Sequence, residues 1–165
     1  MSRKVNCYIG LGSNLGERSA NIKQALRLIS QSIGPLTAKS FLYESPPWGT
    51  YEGESFPYLN VAILVSTQLE ASEVLAQLLS TEATLGRRRS TQNAPRTLDL
   101  DILYYGEQII KTDTLIVPHP HLANRRFVLE PLNDLAPGFV HPILGLSNKQ
   151  LLYVCPDPQE ELTRV

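Results

Sequence analysis

The chain has 165 residues, of which 42% are hydrophobic and 19% are charged, as in an ordinary folded domain and unlike a disordered chain. A formal net charge of -1 argues against a broad basic surface for nucleic acid or anionic lipid. No apolar run approaches the roughly 18 residues of a membrane span, and the N-terminus lacks the apolar core of a signal peptide. We therefore expect a single cytoplasmic domain over residues 1–165, a monomer without nucleic-acid or membrane partners. Cys7 and Cys155 match neither metal nor disulfide spacing, so we expect both to be structural.

The first two thirds of the chain alternate between strand and helix patterns. Period-two apolar residues predict a strand at about 4–11, and spacings of four, three and four predict a helix at about 17–33. Further strands are predicted at 36–44 and 58–66, then a helix at 71–85 and a fourth strand in "LDLDIL". This β-α-β-β-α-β order predicts an α+β, ferredoxin-like sandwich with two helices packed on one face of an antiparallel sheet.

Beyond Gly106 the pattern is weaker. Residues 108–110 and 115–117 predict a small hairpin, and residues 123–132 predict a short helix that ends at prolines. We expect this C-terminal extension to form an irregular, partly helical cap over the sheet. The predicted core therefore covers about 4–140, and the tail at about 150–165 is predicted to be weakly structured.

Asp99 and Asp101 lie two residues apart on the predicted fourth strand. Residues at this spacing share a face of a strand, and Leu103 and Tyr105 are predicted to continue that face. Two carboxylates can converge on hard cations, and a pair of Mg²⁺ ions is the usual device for phosphate displacement. The simpler alternative is an amphipathic strand whose acidic residues face water.

An arginine-rich segment precedes this strand: Arg87, Arg88, Arg89 and Arg96 lie between the second helix and Asp99. Guanidinium groups on a loop can bind phosphate oxygens in bidentate fashion, although a solvated basic turn has the same composition. Beside two acidic residues the cluster favours phosphate transfer. The loop at 87–96 is expected to be mobile without ligands.

Three other segments carry candidate residues. The glycine loop "GLGSNLG" fits neither the dinucleotide fingerprint nor the P-loop, so we expect it to form a tight turn. "SPPWG" and "PYLN" predict a rigid aromatic pocket in which Asn60 contacts the edge of a heterocycle. His119 and Arg125 are candidate phosphate donors, whereas His121 and His141 are expected at the surface.

Taken together and in order, "GLGSNLG", "SPPWG", "YLN", "E-x-x-x-G-R-x-R", "PRTLDLDIL" and "VPHPHLANRRF" resemble the 6-hydroxymethyl-7,8-dihydropterin pyrophosphokinase family of folate biosynthesis. The resemblance covers about residues 5–140. It implies a ferredoxin-like fold and transfer of the terminal pyrophosphate of ATP to the pterin's hydroxymethyl oxygen, with release of AMP.

The resemblance also implies roles for individual residues. Asp99 and Asp101 would bind two Mg²⁺ ions that bridge the phosphates of the co-substrate ATP, and Arg87 and Arg96 would stabilise charge during transfer. The residues implied at the ATP site are Glu82, Arg89, Ile102, His119 and Arg125. The residues implied at the pterin site are Ser45, Pro46, Trp48, Tyr58, Asn60 and Phe127, with Tyr58 and Phe127 on either side of the ring.

The chain departs from the family at Asn93-Ala94, where many members read Trp-Gly, and Trp48 and Pro120 also differ from the common residues. No residue is an unambiguous general base, so activation of the hydroxyl by metal is favoured. Two alternatives stay open at this point. One is a non-catalytic ferredoxin-like module that binds a nucleotide as a regulatory ligand, and the other is a nucleotide cyclase or phosphodiesterase.

Overall fold

An antiparallel sheet with helices on both faces organises the chain. The computed structural model describes residues 3–46, 56–86, 98–158 and 162–165. The strands are β1 (Val5–Ser13), β2 (Leu36–Lys39), β3 (Tyr43–Ser45), β4 (Tyr58–Thr67), β5 (Asp99–Tyr105), β6 (Ile110–Lys111), β7 (Ile116–Val117) and β8 (Thr163–Arg164). The helices are α1 (Arg18–Ser32), α2 (Ala71–Thr84), α3 (Arg126–Leu135) and α4 (Asn148–Val154), and a short 3-10 helix spans Leu122–Asn124.

The sheet has the strand order β5-β1-β4-β3-β8, and β2 also pairs with β4. This is the predicted β-α-β-β-α-β topology, with β5 at one edge, and the ferredoxin-like prediction is confirmed. The predicted second strand is divided into β2 and β3, because the Ser40 hydroxyl accepts the backbone N–H of Ala62 at 2.9 Å between the two segments. The predicted small hairpin is also present, as the pair β6 and β7.

The first core lies between the sheet and the helices α1 and α2. Alternate residues of β1 and β4 point into it, including Ile9 and Ile63, which are fully buried. Ile29 of α1 and Val74 of α2 close it from the other side. Burial raises the pKa of the Cys7 thiol in this core to about 12, which agrees with a structural role for that residue.

The second core covers the opposite face of the sheet, where an irregular cap was predicted. Tyr8 and Tyr104 of the sheet pack there against Leu129 and Leu132 of α3 and Leu151 of α4. The C-terminal extension is therefore a second helical layer. One sheet thus lies between two apolar layers, the first formed with α1 and α2 and the second formed with α3 and α4.

The predicted end of the third helix is wrong, since Pro131 lies inside α3. A proline within a helix costs about 3 kcal/mol, but the helix continues because Leu129 and Leu132 on either side are fully buried. The helix ends at Leu135, two residues before Pro137, as the restriction on residues that precede proline requires.

The segment predicted as a weakly structured tail contains a well-defined helix and strand. Ser147 and Gln150 form a reciprocal capping box at the start of α4, and Leu151 is buried. Asn148 fixes the helix further: its Oδ1 accepts from the Tyr104 hydroxyl at 2.7 Å. Near the C-terminus, β8 pairs with β3.

A β-bulge in β5 changes which residues share a face with the two aspartates. Ile102 pairs with Ile9 and Tyr104 pairs with Tyr8, so Leu103 is an extra residue on β5. Leu103 lies on the face of the aspartates, as predicted, but Tyr105 packs in the first core. Its predicted position on the aspartate face is therefore wrong.

Among the described helices, none has the length and apolarity needed to span a membrane.

Candidate active site

The two aspartates lie on the face of the sheet that carries α3 and α4. Gly12 of β1 is directly opposite Asp99, and Gly10 is directly opposite Asp101. Directly paired residues of antiparallel strands project to the same face, so β1 places no side chain beside either carboxylate. The space over Gly10 borders Leu103, and the space over Gly12 borders Tyr58 and Asn60. Asp99 and Asp101 are both half-buried, which places them at the border of this space.

The prediction that "GLGSNLG" is a tight turn is wrong for its first two glycines. Gly10 and Gly12 lie within β1, and only Gly16 has a positive φ, at 74°. An added Cβ at Gly12 would lie 3.2 Å from Cδ1 of Tyr58 and 3.4 Å from Oδ1 of Asn60. The two glycines therefore form the floor of a pocket, a role that the glycine spacing alone does not reveal.

The first pocket, lying over this floor, has Tyr58 and Asn60 of β4 on one side and Phe127 of α3 among its other lining residues. Asn60 is buried, and its Nδ2 donates to the Ser45 hydroxyl at 2.7 Å and to the Tyr43 carbonyl at 3.2 Å. These bonds hold the amide so that Oδ1 lies near Gly12. The pocket thus has aromatic walls and an oriented carbonyl acceptor.

A second pocket lies at the edge strand β5, between α2 and the segment around His119. Its lining residues include Leu75 and Leu79 of α2 and the carboxylate of Glu82. Glu82 is 4% exposed, and its Oε2 accepts the backbone N–H of Leu100 at 2.8 Å. This bond anchors β5 midway between the two aspartates.

The two pockets meet at four residues. Both are lined by Asp99, Asp101, His119 and Arg125. A group bound in the first pocket and a group bound in the second would therefore approach each other over the carboxylates. This arrangement suits a reaction between two substrates, because proximity and orientation supply much of the barrier reduction in group transfer.

His119 is held in one tautomer by its neighbours. Its Nδ1 accepts the backbone N–H of His121 at 3.1 Å, so the ring proton of the neutral form is on Nε2. That Nε2 lies 3.7 Å from Oδ1 of Asp101. His119 therefore presents a donor at the junction of the pockets, where an anionic group would be bound.

Arg125 precedes α3 and lies with its guanidinium carbon 5.7 Å from the centre of the Phe127 ring, within cation–π range. It adds a cation to the junction of the pockets. His121 is exposed, as predicted, and partial burial together with Arg125 and His119 lowers its pKa, against the opposite effect of Asp101.

The described donors fit a magnesium site. Magnesium binds oxygen ligands and uses one or two carboxylates, with substrate phosphates completing its shell. Asp99 and Asp101 offer such carboxylates at the junction of the pockets. Over the described parts of the chain no cluster of three or more His, Cys, Asp or Glu side chains suits a metal, so a protein-only metal cage is not found there.

Several predicted residues lie elsewhere or outside the described ranges. The Ile102 side chain packs in the first core and lines neither pocket. Ser45 accepts a hydrogen bond from Asn60 and does not itself line the first pocket. Pro46 is exposed. The residues Trp48, Arg87, Arg89 and Arg96, and the predicted mobility of the loop 87–96, lie outside the described residues, so their roles stay predictions.

His141 was expected at the surface, and this expectation is wrong. It is 5% exposed, and its Nδ1 accepts the backbone N–H groups of Ile143 and Leu144 at 3.2 and 3.1 Å. Burial lowers its pKa. Its role is to close the turn that precedes α4.

A family model described as 7,8-dihydro-6-hydroxymethylpterin-pyrophosphokinase matches residues 8–137. The chain belongs to this family. The match begins in β1 and ends just after α3, so it includes all the described residues that line the first pocket.

Relatives support this membership. The chain is 42% identical over 129 residues to a 2-amino-4-hydroxy-6-hydroxymethyldihydropteridine pyrophosphokinase of Bacillus subtilis, covering 78% of this chain and 76% of that protein. It is 40% identical over 144 residues to the folic acid synthesis protein FOL1 of Dictyostelium discoideum, covering 87% of this chain but 22% of that protein. The chain therefore spans about a fifth of the length of this FOL1 protein.

Solved structures support the fold. A crystal structure of a Plasmodium falciparum HPPK-DHPS variant with pterin and p-hydroxybenzoate is similar, with a TM-score of 0.77 at 15% identity. The match covers 99% of this chain and 48% of that chain. At this identity the likeness concerns the fold, and it agrees with the ferredoxin-like topology of the pyrophosphokinase family.

Proposed function

We propose that the chain transfers the pyrophosphoryl group of ATP to the hydroxymethyl oxygen of 6-hydroxymethyl-7,8-dihydropterin in tetrahydrofolate biosynthesis. The hydroxymethyl oxygen attacks the β-phosphorus of ATP, and the bond from that phosphorus to the α–β bridging oxygen breaks. The products are the pterin diphosphate, AMP and the proton of the hydroxyl. One observation carries this proposal above others: two pockets of different character meet at Asp99 and Asp101.

The first pocket suits the pterin. A flat heterocycle fits between aromatic side chains, and Tyr58 and Phe127 supply these. Asn60 contributes a fixed carbonyl oxygen that can accept an N–H of the ring, since its Nδ2 is engaged by Ser45 and Tyr43. Gly12 leaves the space between the ring and Asp99.

The second pocket suits ATP. Leu75 and Leu79 present an apolar surface to a base at one end. His119 and Arg125 lie at the other end, where the phosphates would meet the aspartates. The Nε2–H of His119 donates to a phosphate oxygen, and Arg125 neutralises phosphate charge.

Two Mg²⁺ ions, held by Asp99 and Asp101, would supply charge neutralisation on the phosphates and a lower pKa of the attacking hydroxyl. The part played by the chain is mainly to position the two substrates, because phosphoryl transfer requires little covalent chemistry from the protein. Asp99 and Asp101 orient the reacting groups, and the backbone beneath them is fixed by the bond from Leu100 N–H to Glu82. Arg87 and Arg96 are proposed to stabilise charge during transfer, on the family's pattern.

We propose a single-domain monomer as the working unit, because described residues of one chain line both pockets. All the side chains at the junction of the pockets come from β5 and the segment that leads into α3. A second copy is therefore not needed to bring them together.

The test is an assay with ATP, Mg²⁺ and 6-hydroxymethyl-7,8-dihydropterin, with separation of the nucleotide products. The wild-type chain should form AMP and the pterin diphosphate in equal amounts. Asp101→Asn should lower kcat by about 100-fold or more, in the range for loss of an electrostatic catalytic group. Asp113→Asn, at an exposed aspartate between β6 and β7, is the matched control and should leave kcat unchanged.

Other outcomes would identify the alternatives. Release of pyrophosphate from ATP alone would indicate a cyclase, and formation of ADP would indicate an ordinary kinase. ATP binding without turnover, indifferent to Asp101→Asn, would indicate a regulatory nucleotide module. Each of these results would contradict the proposal.

A further inference from the structure

Arg18, the first residue of α1, connects two strand ends that are distant in sequence. Its Nη2 donates to Oε2 of Glu44 in β3 at 2.9 Å. Its Nη1 donates to the carbonyl oxygen of Pro57, just before β4, at 3.0 Å. One guanidinium group thus joins β3 to the residue that precedes β4.

Asn14 makes a parallel contact from the turn that precedes α1. It is 1% exposed, and its Nδ2 donates to the carbonyl oxygen of Phe56 at 3.0 Å. Asn21 in turn fixes this turn through bonds to the Ser13 hydroxyl and the Leu15 carbonyl. Two successive carbonyl groups before β4 are therefore held, that of Phe56 by the β1–α1 connection and that of Pro57 by the first residue of α1.

The residues next to these contacts form the wall of the first pocket. Glu44 lies between Tyr43 and Ser45, which accept the two bonds that orient Asn60. Pro57 directly precedes Tyr58, whose ring lines the pocket. Arg18 itself lines neither of the two pockets, so any effect on the substrate passes through these neighbours.

We propose that Arg18 is a positioning residue for the pterin pocket, which holds the ends of β3 and β4 together so that Asn60 and Tyr58 keep their orientation. The role of the pocket rests on the proposed function. The guanidinium fork suits this task because it donates in two directions at once, whereas an ammonium group acts as a compact point charge. Asn14 supports the same wall from the buried side.

A purely stabilising role would have a different consequence. The Arg18 and Glu44 side chains are 31% and 40% exposed, and ion pairs of such exposure add little to the stability of a fold. The contact should therefore affect one substrate more than the fold. This difference separates positioning from general stabilisation.

The variants are Arg18→Gln, Arg18→Lys and, as a matched control, Arg27→Gln at an exposed arginine of the same helix. In Arg18→Gln we expect the KM for the pterin to rise about tenfold, equivalent to about 1.4 kcal/mol of binding free energy. The KM for ATP and the Tm should stay at their wild-type values. Arg18→Lys should give an intermediate rise, and Arg27→Gln no change. Equal increases for both substrates, or an unchanged pterin KM, would overturn the inference.

Hydrogen exchange provides a readout that needs no turnover. In Arg18→Gln, amides of residues 43–45 and 58–60 should exchange faster than in the wild type, whereas those of α2 should not. A wild-type chain without pyrophosphoryl transfer would refute the proposed function, and the exchange result would then still decide whether Arg18 holds these strand ends. Unchanged exchange at both segments would overturn the inference on its own.

Discussion

Replacement of Gly12 by alanine tests the assignment of the glycines as a pocket floor. The new Cβ would lie 3.2 Å from Cδ1 of Tyr58 and 3.4 Å from Oδ1 of Asn60. Both neighbours line the proposed pterin pocket, and the Tyr58 ring would have to move by a few tenths of an ångström. The backbone at Gly12 is not among the positive-φ glycines, so alanine is compatible with the strand itself.

Two effects on the stability of this variant oppose each other. Alanine in a strand is favoured over glycine by about 0.5–1 kcal/mol, because glycine loses more conformational freedom on folding. The close contact with Tyr58 offsets part of this gain. We therefore expect a change in the free energy of unfolding of less than about 1 kcal/mol.

The effect on the reaction should be larger. A displacement of 1 Å in a reacting pair can cost about 100-fold in rate, so a shift of a few tenths of an ångström should cost roughly three- to sixfold in kcat/KM for the pterin. The kcat/KM for the pterin and the denaturant midpoint should be measured on the same preparations. Gly138→Ala, where the added Cβ meets nothing within 4 Å, is the control and should match the wild type. Retention of wild-type kcat/KM in Gly12→Ala would refute the assignment, and so would a loss of several kcal/mol of stability.

Two further predictions concern the fold away from the pockets. In Gly34→Ala the new Cβ would overlap the carbonyl oxygen of Ser66, so we expect a loss of about 3 kcal/mol in unfolding free energy, measured by denaturant titration; a loss below about 1 kcal/mol would contradict the packing. Burial lowers the pKa of His141, so the folded chain binds fewer protons at this residue than the unfolded chain does. The contribution of neutral His141 to stability is therefore complete above about pH 6.5 and is lost as the pH falls. The loss of Tm between pH 7.5 and 5 should therefore be smaller in His141→Gln than in the wild type, and equal losses would contradict the prediction.

The spacing of apolar residues, together with the glycines and prolines that separate the elements, is sufficient to predict the ferredoxin-like half of the fold. The apolar alternation in β1 and β4 and the helical stripe of α1 are local signals, because one face of each element is buried in the first core. The division of the second predicted strand was not predictable in this way. It depends on the Ser40 hydroxyl taking the place of a backbone acceptor for Ala62, a contact between residues far apart in sequence.

The C-terminal layer was underestimated for a different reason. Its helices α3 and α4 have ten and seven residues, so neither is long enough to show an extended amphipathic stripe. One local signal does mark the start of α4: Ser147 and Gln150 have the spacing of a capping box. The burial of His141, by contrast, follows from the turn that this residue closes, and no periodic pattern in the sequence predicts it.

The carboxylate pair was predictable from its spacing, whereas the shape of the space beside it was not. The position of Gly12 opposite both Asp99 and Asn60 depends on the register of three strands. A glycine has no side chain, so it contributes nothing to an apolar or polar period, and the two glycines of β1 resembled a turn. Their function becomes visible only when the residues on the neighbouring strands are known.

This register also explains how one sheet can hold two substrates at a fixed separation. Asp99, Gly12 and Asn60 are in line across β5, β1 and β4, so the backbones of the proposed metal-binding residue and the proposed pterin acceptor are two strand spacings apart, or roughly 10 Å. The backbone hydrogen bonds of the ladder maintain this separation of the two backbones, and the bonds from Asn60 Nδ2 to Ser45 and Tyr43 fix the orientation of its amide. A one-residue slip of β1 would place Leu11 or Ser13 between the aspartate and the asparagine, and the floor would be lost. The glycines and the strand register are therefore as necessary to the proposed transfer as the groups that contact the substrates.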